Sequence, residues 1–318
     1  VGSEMCIRDR INVFTNLFIG ISLGANVLAA RYYAAGKTKE MSETVHTAIA
    51  LALVSGVAMA VIGVVFARGA LEIMGTPDDV IAKSTLYMRI YFCGMPFFMM
   101  YNYGAAILRA VGDTKRPLIF LIVSGVINAV LNLFLVIVFH LDVAGVGIAT
   151  VISQLVSCIL VLRCLHHTES SYQLHLAKLR IRSVYLKQIF EVGVPAGIQS
   201  TVINISNAML QSSVNSFGSI AMAGYTAANN IFGFLYVTVN AVTQACMSFT
   251  SQNYGVGKWK RMDRVLIDCL ILSFVAMMIL GNSAYFFGPK LLTIYTSNSK
   301  VVQCGMAVSY THLTLPTN

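Results

Sequence analysis

The amino-acid sequence predicts an all-α polytopic membrane protein made of two pseudo-symmetric helical bundles in parallel repeat. Three observations predict it. Hydrophobic residues fill 57% of the 318 positions and charged ones 11%, a balance outside the range of soluble globular domains. Apolar stretches of about 20 residues, the length that crosses a hydrocarbon layer about 30 Å thick, recur along the chain. The stretch "SFTSQNYGVGKWKR" at 248–261 also has a weaker echo, "AARYYAAGKTKEM", at 29–41.

In chain order the apolar runs predict spans over 11–31, 43–67, 84–108, 117–140, 143–165, 188–216, 222–249 and 265–287, with a further one beginning near 300. A membrane barrel would show segments of about ten residues alternating polar and apolar. These runs are long and apolar on most faces, as spanning helices require.

Alternate loops carry nearly all the charge. Arg31, Lys37 and Lys39 follow the first span, Arg109, Lys115 and Arg116 the third, Arg163, Lys178, Arg180, Arg182 and Lys187 the fifth, and Lys258, Lys260, Arg261 and Arg264 the seventh. That alternation predicts a multi-pass protein of the cytoplasmic membrane with its basic loops inside. The net charge of +9 is accounted for by this pattern, so no nucleic-acid partner is expected. Seven cysteines are scattered without C-x-x-C spacing, which supports neither a zinc site nor a disulfide framework.

Sliding the sequence by 221 positions without a gap aligns Tyr33 with Tyr254, Gly36 with Gly257, Lys37 with Lys258, Met41 with Met262 and Leu71 with Leu292. Six predicted crossings separate the two copies, an even number that restores direction. The repeat is therefore parallel, as in a two-lobed transporter with a central site. The domain reading is an amino-terminal lobe over 11–165, a cytoplasmic linker over 166–187 and a carboxy-terminal lobe over 188–307. Residues 1–10 and 308–318 resemble translated adapter sequence and are read as non-native tails; "THLTLPTN" is expected to interrupt the last helix. In the linker, Leu174, Leu176, Leu179 and Ile181 alternate with Lys178, Arg180 and Arg182, the make-up of an interfacial segment held by anionic lipid.

Polar residues inside spans are the candidate site. On the sixth span Ser200, Asn204, Asn207, Gln211 and Asn215 form one stripe, and on the seventh Thr226, Asn230, Asn240, Gln244 and Ser248 form another. Such stripes either line a polar cavity or hold helices together. In the first lobe Ser124, Asn128 and Asn132 share a face that Tyr87 and Thr150 can join. These groups suit coordination of a small cation or relay of a proton. No carboxylate accompanies them; Glu191 and Asp268 come nearest to being buried. Pro96 and Pro195 lie within spans and are candidate hinges. No span carries a Ser and His pair, a His and Glu metal motif or paired carboxylates, so neither an enzyme nor a resident metal or cofactor is expected.

Three passages, "LRAVGDTKRP" at 108–117, "EVGVPAGIQS" at 191–200 and "SQNYGVGKWKR" at 251–261, together resemble the multidrug and toxic compound extrusion (MATE) family. The resemblance implies a twelve-span fold of two six-helix bundles exchanging a proton or sodium ion for lipophilic organic cations by alternating access. It also implies that this chain, which begins with Val1, is a fragment covering the family's second to ninth helices and acting as a monomer in the lipid bilayer. On that alignment Tyr87, Asn128, Asn132 and Thr150 match cation-coupling positions of some prokaryotic members, with Asn132 where those members have an acid. Ile203 and Asn204 occupy the region of a buried Glu used by another branch. Asn204, Asn207, Gln211, Asn230, Asn240 and Gln244 are the expected substrate-cavity lining. A flippase for lipids or lipid-linked saccharides is the alternative of related architecture; its cavity would be strongly cationic.

Overall fold

A computed structural model of the chain describes the backbone at residues 2–73, 78–215, 217–296 and 298–314, and side chains at most positions between 15 and 310. Among the described residues there are ten α-helices and no strand. They are α1 (Gly2–Ala34), α2 (Thr38–Ile73), α3 (Asp78–Cys93), α4 (Met95–Ala110), α5 (Lys115–Leu133), α6 (Asp142–His166), α7 (Ser183–Asn215), α8 (Ser219–Gly255), α9 (Trp259–Thr293) and α10 (Ser299–Thr314). Six described helical stretches, Leu17–Ala34, Thr38–Gly69, Lys115–Val138, Asp142–His166, Ser219–Gly255 and Trp259–Thr293, are long and apolar enough to cross a membrane.

Three sequence expectations are corrected here. The span expected over 84–108 is two helices broken at Gly94. Pro96 therefore does not kink a continuous helix: it sits in the first turn of α4, where its missing N–H leaves no helix hydrogen bond unmade. At the carboxy-terminal end α10 continues to Thr314, so "THLT" extends that helix instead of interrupting it. Nothing in those residues forbids helix; Pro316 is the first breaker, and it lies outside the described residues. By contrast α7 passes through Pro195 unbroken.

The echoed loop repeats in backbone geometry. Gly36 and Gly257 sit at φ of 68° and 69°. The Gly36 N–H donates to Tyr33 O at 3.1 Å and the Lys37 N–H to Tyr32 O at 3.0 Å; 221 residues on, Gly257 donates to Tyr254 O at 3.1 Å and Lys258 to Asn253 O at 2.9 Å. Both are left-handed caps that satisfy the last carbonyls of a helix. Gly112, at φ 89°, closes α4 by the same pair of bonds, to Arg109 O and Leu108 O.

The chain divides into two compact units. The first holds Val1–Val202 with Tyr254–Gly257. Its core is made of small and flexible side chains, among them Ala25, Ala29, Ala48, Ala52, Met95, Met99 and Ile107, which lets backbones approach closely as membrane helices do. α4 is central. Gly104 admits Val161 of α6, Asn26 of α1 donates to Ala106 O at 2.8 Å, and the Tyr103 hydroxyl reaches Phe18 O at 3.4 Å. The start of α7 crosses α1 where Gly20 and Gly24 face Gly193 and Gly197. The first unit also holds the linker, which is irregular apart from one turn at Leu176–Lys178. Leu174 is fully buried and Leu179 packs on the core, while Leu176 and Ile181 are exposed.

The second unit holds Ile203–Asn253 and Lys258–Asn318. Ala227, Ile231, Ala284, Leu292 and Met306 form its small core. There Gly224 of α8 approaches the backbone of α10 at Gly305. Packing thus divides the chain within α7, whereas the sequence repeat places its boundary ahead of that helix.

Candidate functional site in the first helical unit

α5 and α6 lie side by side, and their facing residues build a polar cluster inside otherwise apolar helices. The Asn128 side-chain amide faces two hydroxyls on α6, donating to Thr150 Oγ1 at 3.5 Å and Ser153 Oγ at 3.4 Å. Asn132, one turn further along α5, donates to Asn128 Oδ1 at 3.0 Å. Both hydroxyls are already committed as donors to their own helix, Thr150 to Val146 O at 2.9 Å and Ser153 to Thr150 O at 2.7 Å. They are therefore available to Asn128 only as acceptors.

That chain of donors ends on an acceptor. Asn132 Oδ1 is buried and has no hydrogen-bond partner, and the same is true of Gln154 Oε1 on the next turn of α6. A buried acceptor left unmatched costs about 1–3 kcal/mol, so each calls for a cause. Directly after Asn132 the helix widens into a π-helical turn, Phe134–Val138, a distortion found mostly at functional sites. Beyond it His140 and Asp142 both take positive φ, 53° and 49°. The loop is tied to α3 by Lys83, whose ammonium donates to Asp142 Oδ2 at 2.7 Å. That hydrogen bond raises the Lys83 pKa above its ordinary value.

Tyr87 reaches the same neighbourhood through α3. Its ring lies 3.6 Å from where a β-carbon on Gly147 of α6 would be, and it stacks on Tyr91 with centroids 6.2 Å apart. The structure thus brings Asn128, Asn132 and Thr150 together with Tyr87 alongside. It adds Ser153, which the sequence reading missed although it follows Thr150 by three residues; Gln154 Oε1 lies instead toward the α3–α4 break, 2.5 Å from where a Gly94 β-carbon would stand. Ser124, expected on the same face, bonds back to Leu121 O at 3.1 Å and stays outside the cluster.

In the second unit Asn204, Gln211, Asn230 and Gln244 are half-buried, and Asn207 and Asn240 are exposed. The Asn215 side chain lies outside the described residues. Hydroxyls of these helices, Thr238 and Thr243 among them, bond back along their own helix. Of the two prolines, Pro96 packs its Cα 2.5 Å from where a Gly56 β-carbon would stand, so α2 crosses at the α3–α4 break. Among the described residues no group of three His, Cys, Asp or Glu side chains is placed to hold a metal ion.

Long apolar helices carrying a half-buried, uncharged cluster of amides and hydroxyls define a polytopic membrane protein with a polar site inside its helices. Comparison with known proteins makes the class specific. The family model described as MatE matches residues 10–134 and 195–317, and the chain belongs to that family. It is 29% identical over 291 residues to the probable multidrug resistance protein YoeA of Bacillus subtilis, covering 89% of this chain and 63% of that one. Similarity also extends to the FAD transporter of Shewanella oneidensis, 22% over 300 residues, covering 92% and 65%. The chain thus spans a little under two thirds of these relatives' length.

Among solved structures, an outward-facing conformation of a multidrug resistance MATE family transporter aligns with a TM-score of 0.86 at 19% identity, over 95% of this chain and 68% of that one. A transporter from Pyrococcus furiosus, described as having a binding pocket of reverse polarity that suggests a different function, aligns with a TM-score of 0.84, also at 19% identity, over 95% and 67%. At such identities the likeness establishes the fold alone, and the substrate has to be argued from the chain's own residues.

Proposed function

We propose that this chain supplies the ion-handling and substrate-handling helices of a multidrug efflux antiporter of the cytoplasmic membrane, driven by a cation gradient and working by alternating access of two lobes. Its basic loops lie on the cytoplasmic side. The observation that carries the reading is the unmatched Asn132 Oδ1 at the end of the Asn128, Thr150 and Ser153 cluster. Neutral oxygens of this kind suit a small hard cation, which takes oxygen ligands. An amide does not take up a proton near neutral pH, so this cluster favours sodium over a proton as the coupling ion.

The relatives' names include both multidrug resistance and FAD transport. For this chain the uncharged stripes of Asn204, Asn207, Gln211, Asn230, Asn240 and Gln244 favour lipophilic organic cations. A pyrophosphate-bearing substrate, whether a dinucleotide or a lipid-linked saccharide, calls for Arg or Lys in the cavity. Ion binding and drug binding would favour opposite-facing states. Pro96 at the α3–α4 break and Pro195 in α7 are the proposed hinges. Nothing in this scheme requires bond making or breaking, so the chain is read as a transporter and not an enzyme.

Sodium at about 100 times its Kd should stabilise the purified chain by about 2.7 kcal/mol, read as a sodium-dependent rise in melting temperature that potassium does not produce. Asn132→Leu should abolish that rise and abolish sodium-driven ethidium efflux from vesicles. Efflux driven by a proton gradient alone, and unchanged in Asn132→Leu, would refute the assignment.

A further inference from the structure

The linker does more than join helices. It folds back onto the start of α2 and forms with it a half-open pocket of about 510 Å³ lined by Lys39, Ser42, Glu43, His46, Lys178 and Arg180 among others. Its walls are held in place. Arg182 N–H donates to Thr47 Oγ1 at 3.3 Å, Leu174 N–H donates to Leu165 O at 3.0 Å, and the side chain of Leu174 is fully buried. His46 is committed at both nitrogens: Nδ1 donates to Ser42 O at 2.6 Å, and Nε2 accepts the His175 N–H at 3.1 Å. Its ring is thereby fixed in the wall of the pocket.

The charges are unbalanced. Glu43, with a side chain 15% exposed, is held by Arg180 at 2.5 Å and Arg182 at 3.1 Å. One carboxylate between two guanidinium groups leaves an excess positive charge. Lys39 and Lys178 add two more, and neither belongs to an ion pair among the described residues. Beside these cations Leu176, Ile181 and Val184 are 59%, 42% and 62% exposed. Cations in excess over the one carboxylate select an anion; exposed aliphatic side chains next to them select one attached to an acyl chain.

We propose that this cavity binds the headgroup phosphate of an anionic phospholipid, with Lys39 and Lys178 as its charge contacts and the exposed aliphatics against the acyl region. The proposal rests on the reading of the basic loops as one membrane face. Its test needs neither transport nor a known orientation, so the two fail separately.

Native mass spectrometry of the full chain in detergent, titrated with phosphatidylglycerol or phosphatidylcholine, reads binding directly. Phosphatidylglycerol should bind in preference. Each lysine near the surface is worth about five-fold in affinity, so Lys39→Gln with Lys178→Gln should weaken phosphatidylglycerol about thirty-fold. Lys39→Arg with Lys178→Arg should keep it. Lys258→Gln with Lys260→Gln, which removes two charges from another basic loop, should change binding less than about two-fold, because diffuse attraction is screened. Equal binding of the two lipids, or equal loss in the Lys258 and Lys260 variant, would overturn the site. Displacement by an equimolar amount of inorganic phosphate would overturn its assignment to lipid.

Discussion

Replacing Gly193 with alanine tests the crossing of α1 and α7. A β-carbon at this position would stand 2.6 Å from Ile21 Cα, 2.8 Å from Ile21 O and 3.1 Å from Ile21 C. Carbon atoms rest at about 3.5–4.0 Å, so the helices would have to separate by about 1 Å. Every atom struck is backbone, and no rotamer can relieve the overlap. On the same crossing, β-carbons at Gly20, Gly24 and Gly197 would also meet backbone of the facing helix. Overpacking of this kind costs about 1–3 kcal/mol, against which the better helix propensity of alanine returns at most about 1 kcal/mol. Gly193→Ala should therefore destabilise the chain by up to about 2 kcal/mol. Gly125 on α5 is the control, since a β-carbon there would meet nothing within 4 Å, so Gly125→Ala should stabilise by up to about 1 kcal/mol. Denaturant unfolding of the detergent-purified chain, followed by circular dichroism, measures both. Equal stability of the two variants would refute the close crossing.

Two further perturbations address the loops. Gly36 and Gly257 have open space around them but positive φ, so alanine at either should cost about 1–2 kcal/mol through backbone strain alone. The two losses should agree, as measured by the same unfolding; a loss at one copy only would separate the loops that the repeat equates. In the linker, Glu43→Gln removes the carboxylate that Arg180 and Arg182 share. Because both arginines are about half exposed, the pairing is worth about 1 kcal/mol or less. Trypsin should then cut after Arg180 or Arg182 a few-fold faster than in the unmodified chain; an unchanged rate would show that Leu174 and Thr47 alone fasten the segment.

Periodicity made most of the helices legible. Runs such as 43–67 and 143–165 lie within α2 and α6 because a chain that buries its backbone in hydrocarbon has one local solution, the helix. The break at Gly94 was less legible. Pro96 signalled a disruption, but whether a helix kinks through a proline or restarts at it depends on what packs there, and here Gly56 lets α2 press against the Pro96 backbone. At the site, spacing placed Asn128 and Asn132 on one face of α5, and Thr150 was within reach of the pattern. Ser153 was not found, because one sequence shows which side of a helix a residue occupies and not which neighbour fills it.

By itself, then, the sequence determined the helical membrane class, the parallel repeat and the concentration of basic residues in alternate loops. These follow from composition and local backbone chemistry, and the matched φ angles of Gly36 and Gly257 are a local property of the same kind. The tertiary structure decided what no local rule contains. "EVGVPAGIQS" is a marker of resemblance until Gly193 and Gly197 are seen against α1, and "LHLAKLRIR" is a polar linker until it forms one wall of a half-open pocket with Lys39 and His46. The physical reason is the same in both. Steric exclusion between backbones and charge balance across a cavity belong to pairs of segments more than a hundred residues apart, and their value is set only when folding brings the partners together.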